Sequence, residues 1–267
     1  MQFSRTAALL LGMATLAALG LTPRVNAQTY NLAADWSDTS NPNGVWQYGT
    51  FDGTPSSFTP FPDHVSAYIN VGPPAFSGNQ PAWTDTLNTG NNGSPEGLAK
   101  SVGNALSGFD FPVGRVGGHT PASSKSLAIQ WTAPAAGTVD LSGGTWMWQD
   151  IGRVETISLF DNGTALFQNV AIPSQASGVN SSKTFTFAQA IVAGGGSLSS
   201  LSAVPVAAGD KFVLSFARQT GSTEYFVGAD YTVKLAPAVP EASSLVSLGL
   251  GLLPLGLMAY RKSRRRA

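Results

Sequence analysis

Between residues 28 and 239, every apolar stretch is soon cut by Gly, Pro, Asn or a Ser/Thr cluster, and this punctuation constrains the fold more than any other feature. Short apolar segments between turn signals are an all-β signature. Ser126–Thr132 alternates partly and ends at Pro134. Thr138–Ser142 alternates cleanly after the turn at Ala136-Gly137. Glu155–Phe160 runs into Asp161-Asn162-Gly163, a strong hairpin turn because Asn and Gly accept positive φ. Thr164–Ile172 is the return strand. Lys183–Phe187, Lys211–Phe216 and Ala229–Leu235 complete the pattern, with a turn at Ala208-Gly209-Asp210. At least seven short strands at this spacing predict an antiparallel β-sandwich of jelly-roll type over 28–238, in preference to a barrel or a parallel sheet.

Residues 71–98 break the pattern. Three prolines precede Trp83 and alternation is absent, so the segment reads as a long surface loop with Trp83 as an exposed contact residue. Ser94 as N-cap, Pro95 at N1, and Leu98, Val102 and Leu106 at helical spacing predict a short helix after it. Gly194-Gly195-Gly196 reads as a connector, because no helix or Lys follows it as in a phosphate cradle. No tandem repeat is present.

Charge is unevenly placed. The chain of 267 residues is formally neutral, yet residues 28–239 hold 8 Lys and Arg against 14 Asp and Glu, about −6 net. An acidic body argues against a nucleic-acid partner. The remaining cations lie at the ends. Met1–Arg5 is basic, Ala7–Leu21 is apolar but short for a span, and Val25-Asn26-Ala27 offers a cleavage site, so residues 1–27 read as a signal peptide for signal peptidase. Residues 242–260 are uncharged over 19 positions, roughly 28 Å as a helix, and read as a transmembrane helix. Arg261, Lys262, Arg264, Arg265 and Arg266 in the tail 261–267 hold that end on the cytoplasmic side. The body is thus exported across the inner membrane and transiently anchored in it.

Val239-Pro240-Glu241-Ala242, the apolar span and the terminal Arg cluster together resemble the PEP-CTERM sorting signal of Gram-negative bacteria, a segment also labelled an ice-binding protein C-terminal region. The resemblance covers residues 239–267. It implies recognition by an exosortase, loss of the span, and a mature protein in the cell envelope, at the surface or in an extracellular matrix. Ala242 stands where the family pattern has a second proline. Asn41-Pro-Asn-Gly-Val-Trp-Gln-Tyr-Gly49, with Gly117-Gly-His-Thr-Pro121 and Ile129–Thr138, resembles bacterial secreted modules with a jelly-roll fold similar to carbohydrate-binding modules. That likeness implies fold and compartment and carries no defined activity.

Recognisable chemistry is sparse. The chain has no Cys and two His, which excludes disulfides, thiolate metal sites and a cysteine nucleophile. No nucleophile elbow, zinc helix, P-loop or calcium loop occurs. Asp150 and Glu155 are the candidates for a glycosidase pair. Asp35 and Asp230, near the first and last strands, are weak candidates for a structural calcium; no other cofactor is implied. His119 reads as a loop histidine bonded to backbone, or as a ligand contact. Trp146 and Trp148, two apart, share one strand face and either fill the core or form a sugar platform. Trp36, Trp46 and Tyr48 read as core.

These residues point to a non-catalytic extracellular or surface protein that binds polysaccharide or contributes to an exopolysaccharide and biofilm matrix. The competing readings are a lyase or glycosidase on a jelly-roll scaffold, and an ice-surface binder. The latter needs Thr ladders, and only Thr184 and Thr186 offer one. If the tail is a sorting signal, intact mass of the protein from its native envelope will show a chain shortened near residue 240; a mature chain that still ends at Ala267 overturns the reading.

Overall fold

The computed structural model describes residues 26–54, 57–66, 81–85, 96–102, 110–121, 125–148, 152–173, 184–219 and 225–238. In chain order the strands are β1 (Gln28–Asn31), β2 (Trp46–Phe51), β3 (Thr59–Pro60), β4 (Asp63–Val65), β5 (Ala82–Thr84), β6 (Gly97–Lys100), β7 (Val116–His119), β8 (Ser126–Thr132), β9 (Gly137–Met147), β10 (Glu155–Asp161), β11 (Thr164–Ala171), β12 (Phe185–Thr186), β13 (Val204–Val206), β14 (Lys211–Arg218) and β15 (Phe226–Pro237). Helix α1 (Phe187–Ala193) and a 3₁₀ turn, Leu198–Leu201, lie between β12 and β13.

The strands form two antiparallel sheets, as the turn-punctuated pattern requires. A six-stranded sheet runs β11-β10-β14-β8-β2-β3. A nine-stranded sheet runs β12-β9-β15-β7-β6-β5-β4, with β1 also on β15 and β13 also on β9. The β10–β11 hairpin turns where the sequence marks it, with Asn162 and Gly163 both at positive φ. Alternation sets the faces. On β8, Leu127, Ile129 and Trp131 join the main core, whereas Ala128 joins a second cluster with Phe51, Phe160 and Val213 on the outer face. Trp46 lies opposite Trp131 and meets Tyr231 of the other sheet edge-on at 5.4 Å.

Trp146 and Trp148 are fully buried, in a second aromatic layer and not between the sheets. A Cβ on Gly118 would meet Leu127 of the other sheet, so Gly118 faces inward and its neighbour Gly117 faces outward. Gly117 pairs directly with Gly228. The Trp148 indole lies over Gly117 and the Trp146 indole over Gly228. Segment 110–115 closes over them: Trp146 Nε1 donates to the Asp110 carbonyl, and Phe111 stacks on Trp148 at 3.9 Å. The shared face read from the two-residue spacing is therefore real, and a glycine pair makes room for it.

Several expectations are corrected. Gly97–Lys100 is a strand between β5 and β7, not part of a helix over 94–106, because its backbone bonds on both sides outweigh the local cap signals. The loop over 71–98 is interrupted by β5, whose Trp83 is 7% exposed. His119 ends a strand and does not sit in a loop before one. Past Thr186 the chain turns helical: Thr186 and Gln189 form a reciprocal capping box, so Phe187 begins α1 and the Thr184/Thr186 alternation makes no ladder. Gly194 caps that helix.

Gly228→Ala would place a methyl 2.0 Å from the Trp146 ring, which its bond to Asp110 holds in place. We expect a loss of about 1–3 kcal/mol from overpacking, and of about 3–5 kcal/mol for Trp146→Ala. Denaturant melts check both, and wild-type stability of Gly228→Ala would contradict the described contact.

Candidate functional site

The connection between β1 and β2, residues 32–45, is polar, yet it is held as firmly as a strand. Asp35 Oδ2 accepts from the Trp46 indole at 3.0 Å and from the Asn31 amide at 2.8 Å. Asn43 Nδ2 donates to the Asp35 carbonyl, and Lys100 Nζ to the Ala33 carbonyl. Asn41 bonds twice to the Tyr48 backbone and once to the Phe61 carbonyl. The Trp83 indole reaches across 46 positions to donate to the Ser37 carbonyl at 2.8 Å. Asn41, Asn43, Trp46 and Tyr48 thus explain the Asn-Pro-Asn-Gly-Val-Trp-Gln-Tyr segment as the clamp of this loop.

The clamp presents Trp36. The other five tryptophans are buried, while Trp36 is half-buried. One face of its ring stacks on Tyr48 at 4.3 Å and 27°. Its Nε1 donates to Asp38 Oδ1 at 2.8 Å. His64 Nε2 lies 3.6 Å from the same oxygen, and the His64 ring stands edge-on to Trp83 at 4.9 Å. The Asp38 side chain is 42% exposed and that of His64 25%. Among the described residues, nothing hydrogen-bonds to Asp38 Oδ2. Burial pushes the Tyr48 phenol above its ordinary range; a bond from the Ser37 backbone acts the other way, and the charges of Asp35 and Asp38 push it further up. A half-open indole fixed beside a half-open carboxylate can hold a flat apolar ring that carries hydrogen-bond donors.

The residues singled out from sequence do not converge. Trp83 and His64 share a cross-strand row with Leu98 and Gly118, on the inward face. His119 is on the outward face, edge-on to Phe226 at 4.6 Å and beside Trp148, which stacks on Phe226 at 4.7 Å. The expected exposure of Trp83 is overturned, because β5 pairs on both sides and its indole finds an interior acceptor. Trp146, Trp148 and His119 are equally covered, at 0%, 0% and 7% exposure. Trp36 moves the other way, from expected core to partial exposure. Its signal was available: Asp35-Trp36-Ser37-Asp38 sets an indole between two carboxylates in a loop-forming segment.

Asp35 serves Trp46, and Asp230 is paired with Arg115. Among the described residues no three His, Cys, Asp or Glu side chains cluster, and Asp35 and Asp230 are each committed to the partners just named. Asp150 lies outside the described residues, and Glu155 is buried at the start of β10. The carboxylates brought together are Asp85 and Glu96, flanking the paired Thr84 and Gly97. Each lies within electrostatic reach of the other across neighbouring strands. Val239, Pro240, Glu241, Ala242 and the cations from Arg261 to Arg266 lie outside the described residues, as do the apolar segments 7–21 and 242–260. Among the described residues no helix is long and apolar enough to cross a membrane.

No family model matches the chain, and no curated protein matches it. A solved structure, the family 35 carbohydrate binding module from Clostridium thermocellum, shares 12% identity over 57% of this chain and 86% of its own, with a TM-score of 0.25. A likeness of that degree says nothing of a ligand for this chain.

Glu96 yields a pH prediction. Burial, with the charge and hydrogen bond of Asp85, raises its pKa from 4.5 to about 7, and Lys125 offsets part of this. A carboxyl raised on folding favours the fold while protonated. Its contribution is therefore full below about 4.5 and is lost as pH rises through about 7. Melts of wild type against Glu96→Gln across this window should show the wild type losing stability relative to the variant; parallel curves would contradict it.

Proposed function

We propose that this is a secreted, non-catalytic protein that binds polysaccharide through the 32–45 loop, with Trp36 as the stacking platform. The observation that carries this reading is the partly exposed Trp36 ring, backed by Tyr48 and fixed by Asp38. An aromatic face held in place before the ligand arrives spares the ordering cost that a free side chain incurs on binding. Asp38 supplies an acceptor at the edge of that face, as the hydroxyls of a sugar ring require. The enzymatic reading named Asp150 with Glu155, and Asp150 lies outside the described residues.

Delivery to the cell surface or an exopolysaccharide matrix by signal peptidase and an exosortase belongs to the same proposal. It rests on residues 1–27 and 239–267 alone. The test of the binding role is affinity electrophoresis of the full-length protein in gels containing neutral and charged glycans. Trp36→Ala should weaken retardation tenfold or more, about 1.4 kcal/mol, and Trp36→Phe should keep part of it. Retardation unaffected by Trp36→Ala would remove this loop from the function.

A further inference from the structure

We infer that the Trp36 site selects glycans that carry free amines, such as a deacetylated hexosamine polymer, over neutral or uronate-containing ones. This rests on the polysaccharide reading of the same site. Two carboxylates flank the indole in sequence, Asp38 holds its N–H, and the charges of both reach the hydroxyl of Tyr48, on whose ring it stacks. That hydroxyl is buried and, among the described residues, has no hydrogen-bond partner of ordinary geometry. Asp35 spends Oδ2 on two interior donors, whereas Asp38 spends only Oδ1, on Trp36. Asp38, 42% exposed, thus keeps Oδ2 as an acceptor beside the Trp36 ring.

A carboxylate is an acceptor only, and an ammonium is the group that answers it with both charge and three donors. Such charge-assisted bonds are roughly twice as strong as neutral ones. A cation over or beside an indole is attracted by the ring as well. A protonated amino sugar combines these features in one unit: a flat C–H face for Trp36 and an ammonium within reach of Asp38. A uronate would instead bring its own carboxylate against Asp35 and Asp38. The −6 body reinforces the preference at long range but does not localise it.

The experiment compares full-length protein, purified in detergent, on three probes: a β-1,4-glucosamine polymer, its N-acetylated counterpart and polygalacturonate. Tenfold or more tighter binding to the amine polymer is expected, weakened by salt. Asp38→Asn should reduce that binding to the level of the acetylated probe. Asp140→Asn, an exposed carboxylate on β9, should leave it unchanged. Equal binding of amine and acetylated polymers by wild type overturns the amine preference while leaving the polysaccharide reading intact, and this comparison needs no variant to fold. Equal loss in Asp140→Asn and Asp38→Asn overturns it too, because diffuse attraction to an acidic body would then account for the binding. Binding to none of the three overturns both.

Discussion

Trp46 joins the sandwich to the loop that carries its candidate site. Its ring lies opposite Trp131 in one sheet and meets Tyr231 of the other edge-on, so it occupies the centre of the core. Its N–H is a buried donor, and an unsatisfied one would cost about 1–3 kcal/mol. The structure meets that demand with Asp35, whose carboxylate also accepts from the Asn31 amide where β1 ends. Core packing therefore dictates where a charged loop residue must stand. Trp83 repeats the device with the Ser37 carbonyl, and Trp36 with Asp38. Three indole N–H groups, from β2, β5 and the loop itself, fix one short stretch of chain.

Glycine does the corresponding work on the opposite face of the nine-stranded sheet. Two bulky indoles two residues apart would ordinarily lift a sheet face away from any covering segment. Here Gly117 and Gly228, directly paired, lower the floor, and the rings lie on the backbone itself. Segment 110–115 can then close over them, with Phe111 stacked on Trp148 and the Asp110 carbonyl on Trp146. Gly118, facing inward, has the Gly97 carbonyl where its Cβ would be. The Gly-Gly-His segment is thus a packing requirement on both faces at once, which explains a conspicuous motif without assigning it any chemistry.

Local signals were legible where local physics decides. The Asn162-Gly163 turn, the strands on either side of it, β8, and the common face of Trp146 and Trp148 all follow from propensity and period. Failures cluster where a distant partner decides. β5 has three residues, too few to show a period, and it exists because β4 and β6 pair with it. The same pairing buries Trp83, whose acceptor lies 46 positions away. At 94–106 the cap and spacing signals for a helix were genuine, but neighbours on both sides captured Gly97–Lys100. Thr186 shows the reverse: a capping box four residues long overrode the alternation of 183–187. The exchanged exposures of Trp36 and Trp83 could not be read from composition, since both sit in polar, Pro- and Asn-rich surroundings.

A loop that is both anchor and binding surface must divide its polar atoms between two tasks. In Asp35 the division favours the fold, with Oδ2 serving two interior donors. In Asp38 it is even, with Oδ1 orienting the Trp36 ring while Oδ2 takes no bond among the described residues and the side chain is 42% exposed. His64, edge-on to Trp83, brings its Nε2 to 3.6 Å from the same Oδ1. The apolar half of the site is divided likewise: Tyr48 covers one face of Trp36, and the ring as a whole stays partly exposed. Stability and recognition therefore draw on opposite sides of the same groups. That is why so polar a segment can be held in place without burying its charges, and why removal of an anchor such as Trp46 would disturb the core and the site together.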